Sequence, residues 1–174
     1  MLEVIQSDHN LVGEALALAL LLGVAALSLA GMRRGYRRRR AAARDRYGEL
    51  APVPAPAREP DGQALYTGTT RAGSRVERVA LPELWGRWRC DWWADAGRVV
   101  LRGPGGRVVA LDGIVECGLV GAHAGRAVGR GRIAVVRWRL GGHEVDTGLQ
   151  FASAEEALGF TARIEAAREG QRHA

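Results

Sequence analysis

The 174-residue sequence contains no lysine, so all 25 of its basic side chains are arginines. This absence excludes sites that depend on a lysine ammonium, such as the P-loop, a Schiff-base lysine or the lysine of protein kinases. The motifs H-E-x-x-H, C-x-x-C, G-x-S-x-G and G-x-G-x-x-G are also missing. The sequence therefore predicts a protein that is not an enzyme, with no catalytic residue and no cofactor.

Cysteine is scarce as well, since only Cys90 and Cys117 are present, too few for a disulfide-stabilised scaffold. Neither has the partners of a metal site at suitable spacing, so we expect both to be small buried side chains. His123, in a glycine-rich stretch, and His143, at a predicted turn, are expected on the surface. No metal site is predicted.

Charged residues are almost missing from residues 11–31, where Glu14 is the only ionisable side chain. At about 1.5 Å per residue this stretch would form a helix of about 31 Å, close to the roughly 30 Å of a bilayer core. A buried core helix of a soluble protein could look similar, but such helices are usually shorter and rarely end in so many like charges. A cleaved secretion signal carries its positive charge before the apolar run, whereas here the arginines follow it. The sequence predicts a transmembrane helix over residues 11–31.

The arginines are concentrated directly after this run, with eight of them in residues 33–46. Positive residues next to a membrane helix stay in the cytoplasm, so residues 1–10 are expected outside the cell membrane and the remainder inside. Six arginines of the juxtamembrane segment, residues 32–46, are assigned to topology and to contact with anionic lipid headgroups: Arg33, Arg34, Arg37, Arg38, Arg39 and Arg40.

The overall basic character, with a net charge of +6 and a pI of about 10.5, is also typical of nucleic-acid-binding proteins. The excess of positive charge is local, however. Residues 33–49 carry eight arginines against two acidic residues, whereas residues 50–174 carry 17 against 14. No nucleic-acid partner is predicted.

Proline and alanine dominate residues 47–63, with four prolines between Pro52 and Pro60. Such a composition favours extended polyproline II structure and offers little to pack. We expect a semi-rigid linker that holds a domain of residues 64–168 off the membrane, followed by a tail of residues 169–174.

Short runs of valine, leucine and tryptophan between glycines indicate a mainly-β domain. The clearest hairpin is "RIAVVRWRLGGHEVDTGLQF", with a two-residue turn at Gly141-Gly142. Strands that pair symmetrically about this turn place Arg139 opposite Glu144 and Arg137 opposite Asp146 on one face, with apolar pairs on the other. A shift of one residue would lose both matches, so the sequence predicts this register.

Further strands are predicted over residues 65–70, 75–81, 87–93, 99–102, 107–110 and 114–120. Ser153 and Glu156 form a capping box at the start of an amphipathic helix, whose apolar face carries Ala157, Phe160, Ile164 and Ala167. The predicted fold class is an N-terminal transmembrane helix plus a bent β-sandwich or open barrel of about seven strands with a C-terminal helix.

The segments "ALYTGTTRAGSRVERV", "GRVVLRG" and "RIAVVRWRLGGHEVDTG", within this layout, resemble a group of actinobacterial single-pass membrane proteins. These proteins have a cytoplasmic bacterial pleckstrin-homology-like (PH-like) domain, so the resemblance implies a PH-like fold. The resemblance includes no catalytic motif. The phosphoinositide pocket of eukaryotic PH domains does not carry over. Arg71, Arg75 and Arg78 are the only basic residues near its position, and their spacing does not place them on one strand face.

Aromatic residues make one candidate binding site, because "WGRWRCDWW" holds four tryptophans in nine residues. Trp88 and Trp92 share strand parity and are expected in the core. Trp93 would then point outward and could anchor a partner, although core packing of the whole cluster is the alternative.

The glycine-rich stretch "GAHAGRAVGRGR", residues 121–132, is the second candidate. Arg126, Arg130 and Arg132, together with free backbone N–H groups, could hold an anion. The alternative is a solvated, flexible loop between strands.

From these features we expect a membrane-anchored cytoplasmic binding, adaptor or regulatory module that recognises a protein or anionic partner. The alternative is an accessory subunit of a membrane export or transport complex, with the helix packed against other spans. Ala15, Ala19 and Gly23 form a small-xxx-small face, through which the helix could also form a homo-oligomer.

Overall fold

The computed structural model describes residues 2–95, 97–129 and 131–172, and the side chains of residues 13–94, 97–129 and 131–169. The chain divides between Ala41 and Ala42 into two compact units. The first unit contains helix α1 (Leu2–Tyr47) as far as Ala41, and the remaining residues of the helix belong to the second unit.

Helix α1 is continuous from the apolar stretch through the arginines. Alanine and leucine favour the helix, and no proline interrupts it. The expected boundary at residue 31 is therefore a change of polarity and not of backbone conformation. From Gly13 onward α1 contains a window with a mean hydropathy of 2.3 in which no residue is buried. It is one helix that is long and apolar enough to cross a membrane.

The second unit is built on a seven-stranded antiparallel sheet with the order β4-β3-β2-β1-β9-β8-β5. The strands are β1 (Gly62–Arg71), β2 (Trp88–Asp95), β3 (Arg98–Arg102), β4 (Val108–Leu111), β5 (Glu116–Val120), β8 (Ile133–Leu140) and β9 (His143–Gln150). Two short strands, β6 (Ala122–His123) and β7 (Arg126–Ala127), pair with each other in a separate hairpin.

Helix α2 (Ala154–Arg172) follows the last strand and contacts β2, β5 and β8. Three strands separate β2 from β5 in the sheet, so contact with both shows that the sheet curls around the helix. The predicted fold class, a mainly-β domain of seven strands with a C-terminal helix, is confirmed.

The capping box at the start of α2 forms as predicted. The Glu156 backbone N–H donates to Ser153 Oγ at 3.1 Å, and Glu156 Oε2 accepts from the Ala152 N–H at 3.4 Å. Three residues of the predicted apolar face, Ala157, Phe160 and Ile164, are fully buried, and Ala167 is half-buried.

The register of the β8–β9 hairpin is as predicted, with Arg139 opposite Glu144 and Arg137 opposite Asp146. Arg137 donates to both carboxylate oxygens of Asp146, at 2.8 and 3.1 Å. The second predicted hairpin is present as β3 and β4.

The predicted strand over residues 75–81 is wrong, because this stretch makes only one isolated bridge, between Thr70 and Arg78. Ser74 Oγ accepts from the Glu77 N–H at 3.0 Å and turns the chain before a ladder can extend. Val79 and Leu81 are buried. Two backbone hydrogen bonds flank the bridge, from the Arg71 N–H to the Glu77 carbonyl and from the Val79 N–H to the Thr69 carbonyl, both at 2.9 Å, so pairing with β1 is limited to this short contact.

The core contains a directed chain of hydrogen bonds. Trp138 Nε1 donates to Thr147 Oγ1 at 2.8 Å, and Tyr66 Oη donates to the Leu84 carbonyl at 2.8 Å. Between them, Thr147 Oγ1 and Thr69 Oγ1 are 2.7 Å apart, and Thr69 Oγ1 and Tyr66 Oη are 2.8 Å apart. A hydroxyl has one proton, so Thr147 donates to Thr69 and Thr69 to Tyr66. Every donor in this buried chain therefore has an acceptor.

The expectation that residues 47–63 offer little to pack is wrong, whereas the expectation that they hold the domain off the membrane stays a prediction. Ala43 and Tyr47, at the end of α1, are buried in the main core, and Leu50 packs against it. A Cβ at Gly141 would overlap the Tyr47 carbonyl, so only glycine permits this approach. Residues 48–61, here called the strap, continue across the outer face of β2.

Candidate functional site

A cavity of about 760 Å³ opens where β1 separates from β9. β1 pairs with β2 from Gly62 onward but with β9 only from Leu65 onward. On the side that faces β9, the backbone of residues 62–64 therefore has no partner strand. The turn into α2 lines the same space through Ala152. β1, β2, the end of β9 and the first turns of α2 supply the walls of this space, here called the arginine-lined cavity.

Three aromatic rings form the apolar part of the wall. Trp92 and Phe160 meet edge to face at 4.9 Å between ring centroids. Phe151 lies 5.1 Å from Phe160 and 6.4 Å from Trp92. All three are buried, which fixes their positions.

Three arginines also line the cavity: Arg89, Arg132 and Arg163. Arg132 Nη2 donates to the Phe151 carbonyl at 3.4 Å, which holds the guanidinium against the wall. The buried Nε of Arg132 has no acceptor among the described residues. Arg163 lies over the Trp92 ring at 5.8 Å.

The two carboxylates in the wall are already engaged by the chain. Asp61 binds Arg58 at 2.8 Å and Arg163 at 3.1 Å, and accepts from the Ala94 N–H at 2.8 Å. The hydrogen bond from Arg58 holds the pKa of Asp61 below its usual range, so the group is ionised at neutral pH. Glu156 accepts from the backbone in the capping box. That backbone bond does not neutralise Glu156, so three arginines against two carboxylates leave the wall with a net positive charge, to which Arg89 and Arg132 contribute.

The structure places the predicted anion residues in different situations. Arg132 lines the cavity. Arg126 is not a wall residue, but its Nε donates to Gln150, which is one. Arg130 lies outside the described residues. Anion binding at this place stays a prediction.

The stretch around these arginines is not the expected loose loop. Residues 121–128, here called the docked hairpin, lie on the outer face of β1 and β9. Its His123 is 3% exposed and has Nε2 3.3 Å from the Gly68 carbonyl. A Cβ at Gly148 would overlap the imidazole ring, so this glycine provides the space for it.

The expectation of a surface histidine at position 123 is accordingly wrong. Burial lowers the pKa of His123, so the imidazole is neutral at neutral pH. His143 is exposed as expected and meets the Tyr47 ring edge to face at 5.6 Å.

The prediction of Trp93 as an exposed partner anchor is also wrong. Its side chain is completely buried, and Val53 of the strap packs on the small cluster that it forms with Val100 and Ala110. Trp93 Nε1 donates to the Arg58 carbonyl at 3.0 Å. As strand alternation predicts, the Trp93 ring points away from the main core. The strap covers this outer face of β2, so the ring is buried there.

The two cysteines are buried, as predicted. Cys90 Sγ lies 3.4 Å from the Ala64 carbonyl. Burial raises the pKa of Cys90 and of Cys117 to about 12, so neither thiol is a nucleophile at neutral pH. Among the described residues no group of three His, Cys, Asp or Glu side chains could hold a metal ion.

The juxtamembrane arginines lie along α1. Five of them are exposed, namely Arg33, Arg34, Arg37, Arg38 and Arg39, and Arg40 is half-buried. Their assignment to topology and lipid contact stays a prediction.

A second concavity, of about 350 Å³, lies between the loop after β1 and strands β5 and β8. Its charges balance in number, because Arg75 and Arg137 face Asp146 and Glu116, and Arg137 binds both carboxylates, Glu116 at 3.3 Å. This concavity therefore offers a ligand less uncompensated charge than the arginine-lined cavity does.

Sequence reasoning missed Arg89 and Arg163 as wall residues. Alternation along β2 identifies Arg89 as outward-facing, and helical spacing places Arg163 beside the apolar face of α2. Neither pattern shows that β1 and β9 separate, and this separation creates the cavity.

A model of the family described as "Bacterial PH domain-like" matches residues 47–165 of the chain. No curated protein and no solved structure is similar enough to count as a match. The family match covers the last residue of α1, the strap, the seven-stranded sheet and most of α2. The chain, with its seven antiparallel strands and C-terminal helix, therefore belongs to the bacterial PH-like domain family.

Proposed function

We propose that this chain is a membrane-anchored binding module, in which the PH-like domain recognises an anionic partner in the cytoplasm and carries out no catalysis. The observation that carries the proposal is the arginine-lined cavity, in which three arginines face two carboxylates and Asp61 is already paired with Arg58 and Arg163. PH-like domains are typically binding modules, which supports the same conclusion.

Anchoring is supported by the length and hydropathy of α1. The arginines after the apolar stretch favour a cytoplasmic domain by the positive-inside rule. Such an anchor would concentrate the domain at the inner face of the membrane. A regulatory or adaptor role follows from a binding site kept permanently at that surface.

Photo-crosslinking in cells tests whether the cavity meets a partner. A photoreactive phenylalanine derivative would replace Ala152, an exposed wall residue whose backbone N–H makes the capping bond and is retained. Leu158, exposed on α2 and outside the cavity wall, is the matched control position. We expect a discrete adduct from position 152 and none from position 158.

Adducts from both positions, or from neither, would contradict recognition of a cellular partner at the cavity. The accessory-subunit alternative makes a different prediction: adducts with multi-span proteins from positions such as Ala19 in α1, and none from position 152.

A further inference from the structure

We propose that the arginine-lined cavity binds a small amphipathic organic anion, with a carboxylate or phosphate head on an apolar body. This inference rests on the proposed function, because it takes the same cavity as the binding site, and it adds the chemical class of the ligand.

The size of the cavity suits a small molecule. Its volume of about 760 Å³ falls within the roughly 300–1,000 Å³ that is usual for small-molecule sites. The space lies at a separation of two strands whose positions the sheet fixes, so it does not require a movement of the fold to form.

The apolar part of the wall selects an apolar body. Trp92, Phe151 and Phe160 are almost wholly buried and form the rigid base of the wall, while Leu65 is half-buried and Ala152 exposed, so these two carry more of its accessible apolar surface. A flat or acyl group that covers this surface gains about 25 cal/mol for each Å² of apolar surface removed from water.

The charged part of the wall selects an anionic head. Arg89 is exposed and has no carboxylate partner among the described residues, and Arg132 bonds only to a backbone carbonyl there. A guanidinium pairs with a carboxylate or phosphate through two parallel hydrogen bonds. Because Asp61 is held by Arg58 and Arg163, it does not neutralise these two arginines.

Binding can be measured by calorimetry on the full chain in nanodiscs of zwitterionic lipid, with empty nanodiscs subtracted. Detergent is avoided, since its own apolar tail could occupy the cavity. The probes are 2-naphthoate, 2-naphthyl phosphate, the neutral 2-naphthamide and inorganic phosphate. We expect both naphthyl anions to bind at least about tenfold more tightly than the amide or phosphate alone.

Two sets of variants connect binding to the cavity. Arg89→Gln combined with Arg132→Gln should weaken binding of the naphthyl anions at least about tenfold, whereas Arg87→Gln, an exposed arginine outside the wall, should not. Gly159→Leu should abolish binding without loss of thermal stability. Nothing lies within 4 Å of a Cβ at Gly159, so the new side chain would fill the cavity freely. Ala162→Leu on the same helix is the size control.

Equal affinity for naphthoate and naphthamide, or unchanged binding in Gly159→Leu, would overturn the inference. So would a lack of binding by either naphthyl anion. If the photo-crosslink from position 152 still formed in that case, the binding function would stand and only the ligand class would be wrong. If the naphthyl anions bound and no crosslink formed, the ligand class would stand without the cellular partner.

Discussion

Single hydroxyl groups in the core have assigned directions. Thr147 accepts from Trp138 and donates to Thr69, so its hydroxyl connects two halves of the hydrogen-bonded chain. Replacing it with valine preserves the shape but leaves a buried indole N–H without an acceptor. An unmade buried hydrogen bond of this kind costs about 1–3 kcal/mol.

We therefore expect Thr147→Val to lower the free energy of unfolding by about 1–3 kcal/mol in urea denaturation. Thr161→Val is the control, because Thr161 is half-buried and donates to the Ala157 carbonyl within its own helix, at 2.9 Å. Its effect should stay below about 1 kcal/mol. Equal effects of the two variants would contradict the directed chain.

Trp93 gives a second prediction at the residue scale. Its complete burial beneath the strap means that Trp93→Ala should cost about 3–5 kcal/mol of stability, as for other buried aromatic residues. Trp85→Ala, at a residue 45% exposed, should cost clearly less. Thermal unfolding of the two variants would decide, and a mild effect at Trp93 would restore the exposed-anchor interpretation.

The strap differs from the extended linker that the sequence predicts, because it packs on the domain. A fragment of residues 62–174 lacks Tyr47, Leu50 and Val53, which pack on the two clusters of the domain. Full burial of such a side chain contributes about 1.5–3 kcal/mol, and the half-buried Leu50 and Val53 contribute less than Tyr47. We expect this fragment to be less stable than a fragment of residues 42–174 by at least about 3 kcal/mol, with Trp93 accessible to acrylamide quenching.

A fragment of residues 48–174 separates the two contributions, since it keeps the strap and loses the end of α1. Its stability should fall between the other two. Equal stability of all three fragments would show that the segment only rests on the domain.

The β8–β9 hairpin allows a comparison of two ion pairs in one register. Arg137 and Asp146 form a bidentate pair in which the Asp146 side chain is 9% exposed. Arg139 and Glu144 face each other in solvent. Double-mutant cycles with neutral amides should give about 1–3 kcal/mol of coupling at the first pair and under about 1 kcal/mol at the second. The opposite order would contradict the burial of Asp146.

The elements differ in how far the sequence could predict them. The β8–β9 register followed from local pairs around Gly141-Gly142, because charge and polarity matched on both faces. The docked hairpin could not be predicted, since its place depends on the missing side chain of Gly148, more than twenty residues later in the chain. The strap was misjudged because its few apolar residues looked too sparse to pack. One of them, Val53, packs on the cluster of Trp93, and Arg102 lies over the same ring at 5.0 Å.

For the molecule as a whole, topology is the first expectation to test. A reporter that works only in the cytoplasm, fused after residue 174, should be active, since the arginines follow the apolar stretch. Transfer of Arg33–Arg40 to a position before Leu11 should invert the result. Activity of an export-dependent reporter at the unaltered C-terminus would contradict the cytoplasmic location of the domain.

The position of β1 also has a consequence for synthesis. This strand leaves the ribosome early, but Leu65 pairs with Gln150 and Arg71 with Val145. At a synthesis rate of about 5–20 residues per second, roughly 5–15 s pass between the synthesis of β1 and that of β9, its second neighbour in the sheet. During that interval its apolar face and one backbone edge are open, a state in which nascent chains aggregate or recruit chaperones. Completion of the sheet therefore depends on β9 (His143–Gln150), the last of its strands to be synthesised.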